Sequence, residues 1–211
     1  METCVIFCAG EFEKLACPIG PQDYILAADG GLRHLHQLGL TPDGIIGDFD
    51  SLGYVPENAQ VFPVEKDDTD SMLAVRQGLK LGFRRFLLYG ALEGSRFDHA
   101  IANLQTLQFL ADHGATGCLI GKREAAVVIK NSKISFPAAQ GILSVFCLGA
   151  DAEGVSIRGL QYGLENGTLT AGYPLGCSNH FIGNPAEISV KNGSILIIYP
   201  TEVGIPEVTP C

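Results

Sequence analysis

"GIIGDFDS", residues 44 to 51, is an apolar run that breaks on two aspartates one residue apart. Ile45 and Ile46 are β-branched and favour a strand. Asp48 and Asp50 follow at once, and like charges this close repel. Asp, Gly and Ser all favour turns, so the stretch reads as a buried strand closing on an acidic turn. In an extended segment the two carboxylates share a face and Phe49 points to the other. Carboxylate oxygens so placed are also natural ligands of Mg²⁺. Taken alone, the pair fits either a plain turn or a metal site.

The same texture recurs on both sides of this stretch. "CVIFCAG" (4–10) and "YILAADGG" (24–31) are apolar runs ending in glycine. "GLRHLHQLG" (31–39) reads as a short helix closed by Gly39, and "AQVFPVE" (59–65) as a short strand. "TDSMLAVRQGLKLG" (69–82) is expected to be a helix, with Met72, Val75 and Leu79 on one face. Its N-cap is expected at Asp68 or Thr69 and its stop at Gly82. "RRFLLYG" (84–90) is a strand. "RFDHAIANLQTLQFLADHG" (96–114) is the longest helix, with Ala100, Ile101, Leu104, Leu107 and Ala111 along one face. "TGCLIG" (116–121) and "EAAVVIK" (124–130) are strands again.

Nearly all-apolar strands separated by helices imply an α/β fold, a mostly parallel Rossmann-like sheet flanked by helices. Ligands of such sheets bind outside the carboxyl ends of the strands. "AADGG", "GDFDS" and "YGALEGSRFDH" each begin where a strand stops, so three polar clusters are expected at one sheet edge. After about residue 130 the texture changes to short β-like runs divided by Gly, Asn and Pro, with no long helical pattern. This predicts an all-β sandwich or jelly roll. "KNSK" (130–133) marks the junction, giving an α/β domain over 1–130 and a β domain over 131–211. The tail "TEVGIPEVTPC" (201–211) is expected to fray.

Composition narrows the function. The 211 residues are enough for a sizeable core. A net charge of −9 speaks against a phosphate-neutralising nucleic-acid surface, though a single nucleotide can bind where metal ions supply the neutralising charge. The seven cysteines form no CxxC pair, and Cys4, Cys8, Cys118 and Cys147 sit in apolar runs, as buried thiols of a reducing cytosol do. No apolar run is long enough to span a bilayer and the first residues lack a basic signal-peptide region, so a soluble cytoplasmic protein without membrane contact is expected.

Two further clusters bear on the aspartate pair. In "EKDDTDS" (65–71), Asp67, Asp68 and Asp70 stand at a helix start, where the dipole favours negative charge and Asp or Thr caps free N–H groups. Three carboxylates in four positions exceed what capping needs, and Asp70 is the candidate third metal ligand. In "GALEGSRFDHAIANL" (90–104), a glycine-containing loop leads into a helix start carrying Arg96. Such a terminus attracts anions, and the guanidinium suits phosphate. The plainer reading is an Asp98 cap beside a surface arginine.

His34 and His36 are two apart on a helix and do not chelate one ion. No G-x-G-x-x-G occurs, against a nicotinamide dehydrogenase, and "GCLIGKR" (117–123) falls one residue short of a P-loop. An acidic metal-binding cleft with an anion site at a helix start fits phosphoryl or pyrophosphoryl transfer from a Mg-nucleotide.

"AADGGLRHL", "PDGIIGDFDSL", "KDDTDSMLAV" and "GSRFDHAIANL", in this order, together with "GLQYGLENGTLTAGYPLGCSNHF", resemble the thiamine pyrophosphokinase family over about residues 4 to 199. The resemblance implies ATP as co-substrate, Mg²⁺, and attack of the thiamine hydroxyl on the β-phosphorus to give thiamine diphosphate and AMP. It implies that Asp48, Asp50 and Asp70 hold the metal and that Asp29 lines the same site. Asp67 and Thr69 join the nucleotide-side set. Arg96 contacts the triphosphate, and Asp98 helps order the active site. Tyr162, Ser178 and Asn179 match the thiamine-side segment, in a pocket shared between the subunits of a homodimer. The chain departs from the family pattern at Ser95 (usually Gly), His180 (usually a carboxylate) and Met72 (usually acidic). A hydroxymethyl-pterin pyrophosphokinase and a non-catalytic thiamine or nucleotide sensor are the rival readings.

Overall fold

The computed structural model describes residues 2–50, 52–94 and 96–210. Contact density divides the chain into two compact units, Met1–Lys122 and Arg123–Cys211.

The first unit opens with β1 (Cys4–Phe7) and β2 (Tyr24–Ala28), then a single 3-10 turn (Asp29–Gly31) leading into α1 (Leu32–Leu38). Next come β3 (Gly44–Gly47), β4 (Gln60–Val61), α2 (Asp70–Lys80), β5 (Arg85–Tyr89), α3 (Phe97–Asp112) and β6 (Thr116–Ile120). The strands lie in the order β6-β5-β1-β2-β3-β4. Every pair is parallel, as expected of strands linked by helical crossovers. β1 and β5 carry the core: Cys4, Ile6, Phe7, Phe86, Leu88 and Tyr89 are essentially inaccessible. α1 stops where Gly39 takes a left-handed φ of 67°, a conformation that costs glycine little. Thr69 caps α2 by accepting a hydrogen bond from Met72 N at 3.2 Å. β4 keeps only two residues of the strand expected over 59–65, and both are exposed.

The buried helix faces differ from those the apolar pattern predicts. α2 buries Ser71, Ala74, Val75 and Gly78, leaving Met72 and Leu79 at the margin. α3 buries Asn103, Thr106, Leu107 and Leu110, while Ile101 is exposed. Asn103 turns inward because its amide is hydrogen-bonded on both sides, which removes the cost of burying it.

The second unit is antiparallel throughout. It holds β7 (Glu124–Lys130), β8 (Ser132–Phe136), β9 (Gln140–Cys147), β10 (Ala152–Arg158), β11 (Leu164–Leu169), β12 (Gly176–Ile182), β13 (Ala186–Ser189), β14 (Ser194–Pro200) and β15 (Glu207–Pro210). β12-β9-β14-β7 form one set of neighbours and β11-β10-β13-β8-β15 the other. Phe136 of β8 meets Phe181 of β12 and Tyr199 of β14 edge to face, so the two sets share a core. The division falls one strand before the junction read at "KNSK", because β7 pairs along its length with β14. The tail does not fray: β15 pairs with β8, a partner far away in sequence. Among the described residues no helix is long and apolar enough to cross a membrane.

Candidate active site

Four parallel strands end around one cleft. Its lining begins where β1, β2, β3 and β5 stop, with residues 8–11, 28–29, 48 and 50, and 90–94. The N-terminal turns of α2 and α3 complete it. The cleft encloses about 870 Å³, a size suited to a nucleotide rather than a lone ion. The sheet-edge convergence expected from the sequence is therefore present.

The floor is acidic. Asp29 opens the turn after β2 with a left-handed φ of 46° and is 8% exposed. The turn is pressed against β1, since a Cβ on Gly31 would lie 1.8 Å from the Phe7 carbonyl oxygen. The segment after β3 is not extended as the sequence suggests. Phe49 is buried with a left-handed φ of 61°, which folds the chain back and lets Asp50 N donate to Asp48 Oδ1 at 3.3 Å. A bulky residue rarely holds such a φ, and strain of this kind gathers at functional sites. The turn and metal-site readings thus coincide: this turn brings carboxylate oxygens of Asp29, Asp48 and Asp50 within 4.8 Å of one another. Three hard oxygen donors from separate residues suit Mg²⁺.

Asp70, the third ligand expected from sequence, reaches this group through a lysine. Lys66 Nζ lies 2.6 Å from Asp48 Oδ2 and 3.1 Å from Asp70 Oδ1. Its hydrogen bond is the main reason the Asp48 carboxyl is held below the usual carboxylate range. Burial pushes Asp70 upward, and Lys66 only partly offsets this while Asp48 and Asp29 add to the rise. For Lys66, burial works to lower the pKa, but the two carboxylates outweigh it and the net shift is upward. Sequence reasoning passed over Lys66. The signal was there: "EKDDTD" sets one cation among four acids in a chain with only 14 lysines and arginines.

A second group of side chains fixes the rim. Thr69 Oγ1 lies 3.0 Å from Ser71 Oγ, which donates to Asn103 Oδ1 at 2.6 Å. Asn103 Nδ2 donates to the Ala91 carbonyl at 2.6 Å. This chain joins the start of α2, the middle of α3 and the loop after β5. Arg96 lines the cleft at the N-cap of α3, exposed, and pairs with Asp98. Thr69 also lines the cleft, whereas Asp67 and Asp98 stand outside its described lining. Ser95 lies outside the described residues.

In the second unit, Tyr162 is 60% exposed after β10. Asn179 is buried in β12, where its amide oxygen accepts from Tyr162 N and His180 N and its nitrogen donates to Tyr162 O. Asn179 therefore holds the Tyr162 backbone rather than offering a free amide. Ser178 has a left-handed φ of 60°, and its N–H donates to Ser144 Oγ at 3.0 Å.

Residues 19–119 match the family model "Thiamin pyrophosphokinase, catalytic domain", and residues 131–195 match "Thiamin pyrophosphokinase, vitamin B1 binding domain". The chain is 25% identical over 187 residues to a thiamine pyrophosphokinase of Bacillus subtilis (strain 168), covering 84% of this chain and 87% of that one. The crystal structure of the Bacillus subtilis thiamine pyrophosphokinase shares the fold, with TM-score 0.83 at 22% identity over 94% of this chain and 99% of the other. A thiamin pyrophosphokinase family protein from Enterococcus faecalis is similar at TM-score 0.76 and 26% identity, over 94% and 98% of the two chains.

Proposed function

The chain belongs to the thiamin pyrophosphokinase family, and on that premise we propose that it transfers the pyrophosphoryl group of Mg-ATP to the hydroxyl of thiamine, giving thiamine diphosphate and AMP. The observation that carries this reading is the carboxylate group of Asp29, Asp48 and Asp50, which lines one cleft together with Arg96 at the carboxyl ends of a parallel sheet.

Asp29, Asp48 and Asp50 are the residues that fit Mg²⁺, with Asp70 next to them through Lys66. The ion would neutralise phosphate charge as the bond to AMP breaks. Arg96 and the free N–H groups at the start of α3 take the remaining phosphate charge. Asp98 pairs with the guanidinium at the rim. Thr69 presents Asp70 by capping α2, and Asp67 is read with it as part of the nucleotide-side set. Most of the rate enhancement comes from placement and fixed charge, as loose phosphoryl-type transfers require.

The second unit supplies the thiamine side. Tyr162 offers an exposed ring for stacking on a flat heterocycle, with Ser178 beside Asn179, which orients the tyrosine. Ile142 and Ile182 are also exposed on β9 and β12, and support a homodimer whose thiamine site is shared between subunits. We read the first unit as Rossmann-like and the second as a sandwich of jelly-roll type, in a cytoplasmic protein with free thiols.

The test is AMP release from Mg-ATP against a panel of alcohol acceptors. Thiamine alone should support it. Release with a hydroxymethyl pterin and none with thiamine would overturn the substrate assignment. No turnover with any alcohol, together with a higher melting temperature in thiamine, would make the protein a sensor.

A further inference from the structure

Lys66 bridges two carboxylates of the cleft, those of Asp48 and Asp70. Its side chain is only 13% exposed, and Asp48 is 10% exposed. The three residues come from different places: Asp48 from the turn after β3, Lys66 from the segment before α2, and Asp70 from the first turn of α2. One ammonium therefore does for Asp48 and Asp70 what a divalent cation does for a carboxylate cluster, offsetting repulsion in a poorly hydrated place.

Asp48 is claimed twice. It belongs to the carboxylate group with Asp29 and Asp50, and it also accepts the shorter of the two Lys66 contacts. A cation drawn to Asp29, Asp48 and Asp50 must share the Asp48 charge with Nζ. An ammonium carries three donors, so two carboxylates do not exhaust it.

We propose that Lys66 is the resident counter-ion of the site. It holds Asp48 and Asp70 in position until the metal-nucleotide arrives, then yields Asp48 to the metal. Tethered at Asp70, it turns its charge onto a phosphate oxygen of the nucleotide. This rests on the reading of the cleft as a Mg-ATP site. The competing idea is a permanent brace that pins α2 to the β3 turn and never lets go.

The experiment is Mn²⁺ binding to nucleotide-free protein, followed by electron paramagnetic resonance, for the wild type, Lys66→Met and Lys66→Arg. Lys66→Met should bind Mn²⁺ about tenfold more tightly, within the usual range for two coupled binding events. Lys66→Arg should stay near the wild type. The KM for Mg-ATP should rise about tenfold in Lys66→Met, as loss of a charge-assisted hydrogen bond predicts. Unchanged or weaker Mn²⁺ binding in Lys66→Met would overturn the proposal.

If Lys66→Met does not fold, the wild type still decides. Its Lys66 ammonium ¹⁵N resonance, assigned by its loss in Lys66→Arg, should shift when Mg²⁺ and a non-hydrolysable ATP analogue are added. An unmoved resonance marks a permanent brace. A wild type that makes no AMP from ATP and thiamine removes the proposed activity, while the Mn²⁺ titration still decides the role of Lys66.

Discussion

Ser71 Oγ donates to Asn103 Oδ1 at 2.6 Å, so the first turn of α2 and the middle of α3 are joined by one buried hydrogen bond. The same asparagine holds the Ala91 carbonyl, which follows β5 at the back of the cleft. Replacing it with leucine keeps the volume and leaves two buried polar groups without their partner. We expect Asn103→Leu to lose about 2–6 kcal/mol of stability, from about 1–3 kcal/mol for each of the two orphaned groups. Urea unfolding checks this, and a loss below about 0.5 kcal/mol would show that the two groups find other partners.

Asp48 is shared by Lys66 and the carboxylate group. Asp48→Asn keeps the shape and removes the charge. Turnover of Mg-ATP should vanish while the circular dichroism spectrum stays native. Full activity in this variant would falsify the metal role of Asp48.

Arg96 and Asp98 pair in solvent at the rim of the cleft. An exposed ion pair contributes little to folding. Arg96→Ala should therefore melt with the wild type yet lose at least about tenfold in kcat/KM for Mg-ATP, as expected for a lost charged hydrogen bond. Equal kcat/KM in the two proteins would remove Arg96 from the phosphate site.

Gly31 approaches β1 so closely that a Cβ would lie 1.8 Å from Phe7 O and 2.4 Å from its carbonyl carbon. Both are backbone atoms, so no rotamer change relieves the overlap. Gly31→Ala should cost about 1–3 kcal/mol or more. The Asp29 turn should shift with it, so Mn²⁺ affinity is the second readout. A variant as stable as the wild type would show that the turn can move away.

Burial raises the Cys4 and Cys8 thiols from 9.0 to about 12, with Asp43 adding for Cys4 and Asp70 for Cys8. Between these values the folded chain keeps a proton that the unfolded chain has lost. Stability then falls as pH rises, from about pH 9 towards about pH 12. Urea midpoints measured between pH 8 and pH 11 should show this limb, and Cys4→Ala should flatten it. At neutral pH a thiol reagent should label exposed Cys177 in the folded protein and reach Cys4 and Cys8 only on unfolding. Rapid labelling of Cys4 in native protein would contradict its burial.

Features with local causes were legible before the structure. A strand that is apolar on both faces must be covered on both, so "CVIF", "ILAA" and "FLLY" announced a sheet packed against helices. Glycine after α1 and threonine before α2 marked helix ends, because capping depends on residues within one turn. Since parallel strands align their carboxyl ends, the order of the acidic clusters also placed Asp29, Asp48 and Asp70 around one cleft.

What stayed hidden was decided by partners distant in sequence. Asn103 is buried because Ser71 and the Ala91 carbonyl come to meet it, which no hydrophobic periodicity reveals. The Pro-containing tail becomes β15 because β8 has an edge to pair with. Phe49 takes a left-handed φ because burial of its ring outweighs the cost of that backbone. Lys66 looks like one more surface charge until the fold sets it 2.6 Å from Asp48 and 3.1 Å from Asp70. The order of residues set which charges the cleft would contain. Folding set which of them face each other, because the strength of a charge pair depends on distance and desolvation, and both are properties of the folded chain.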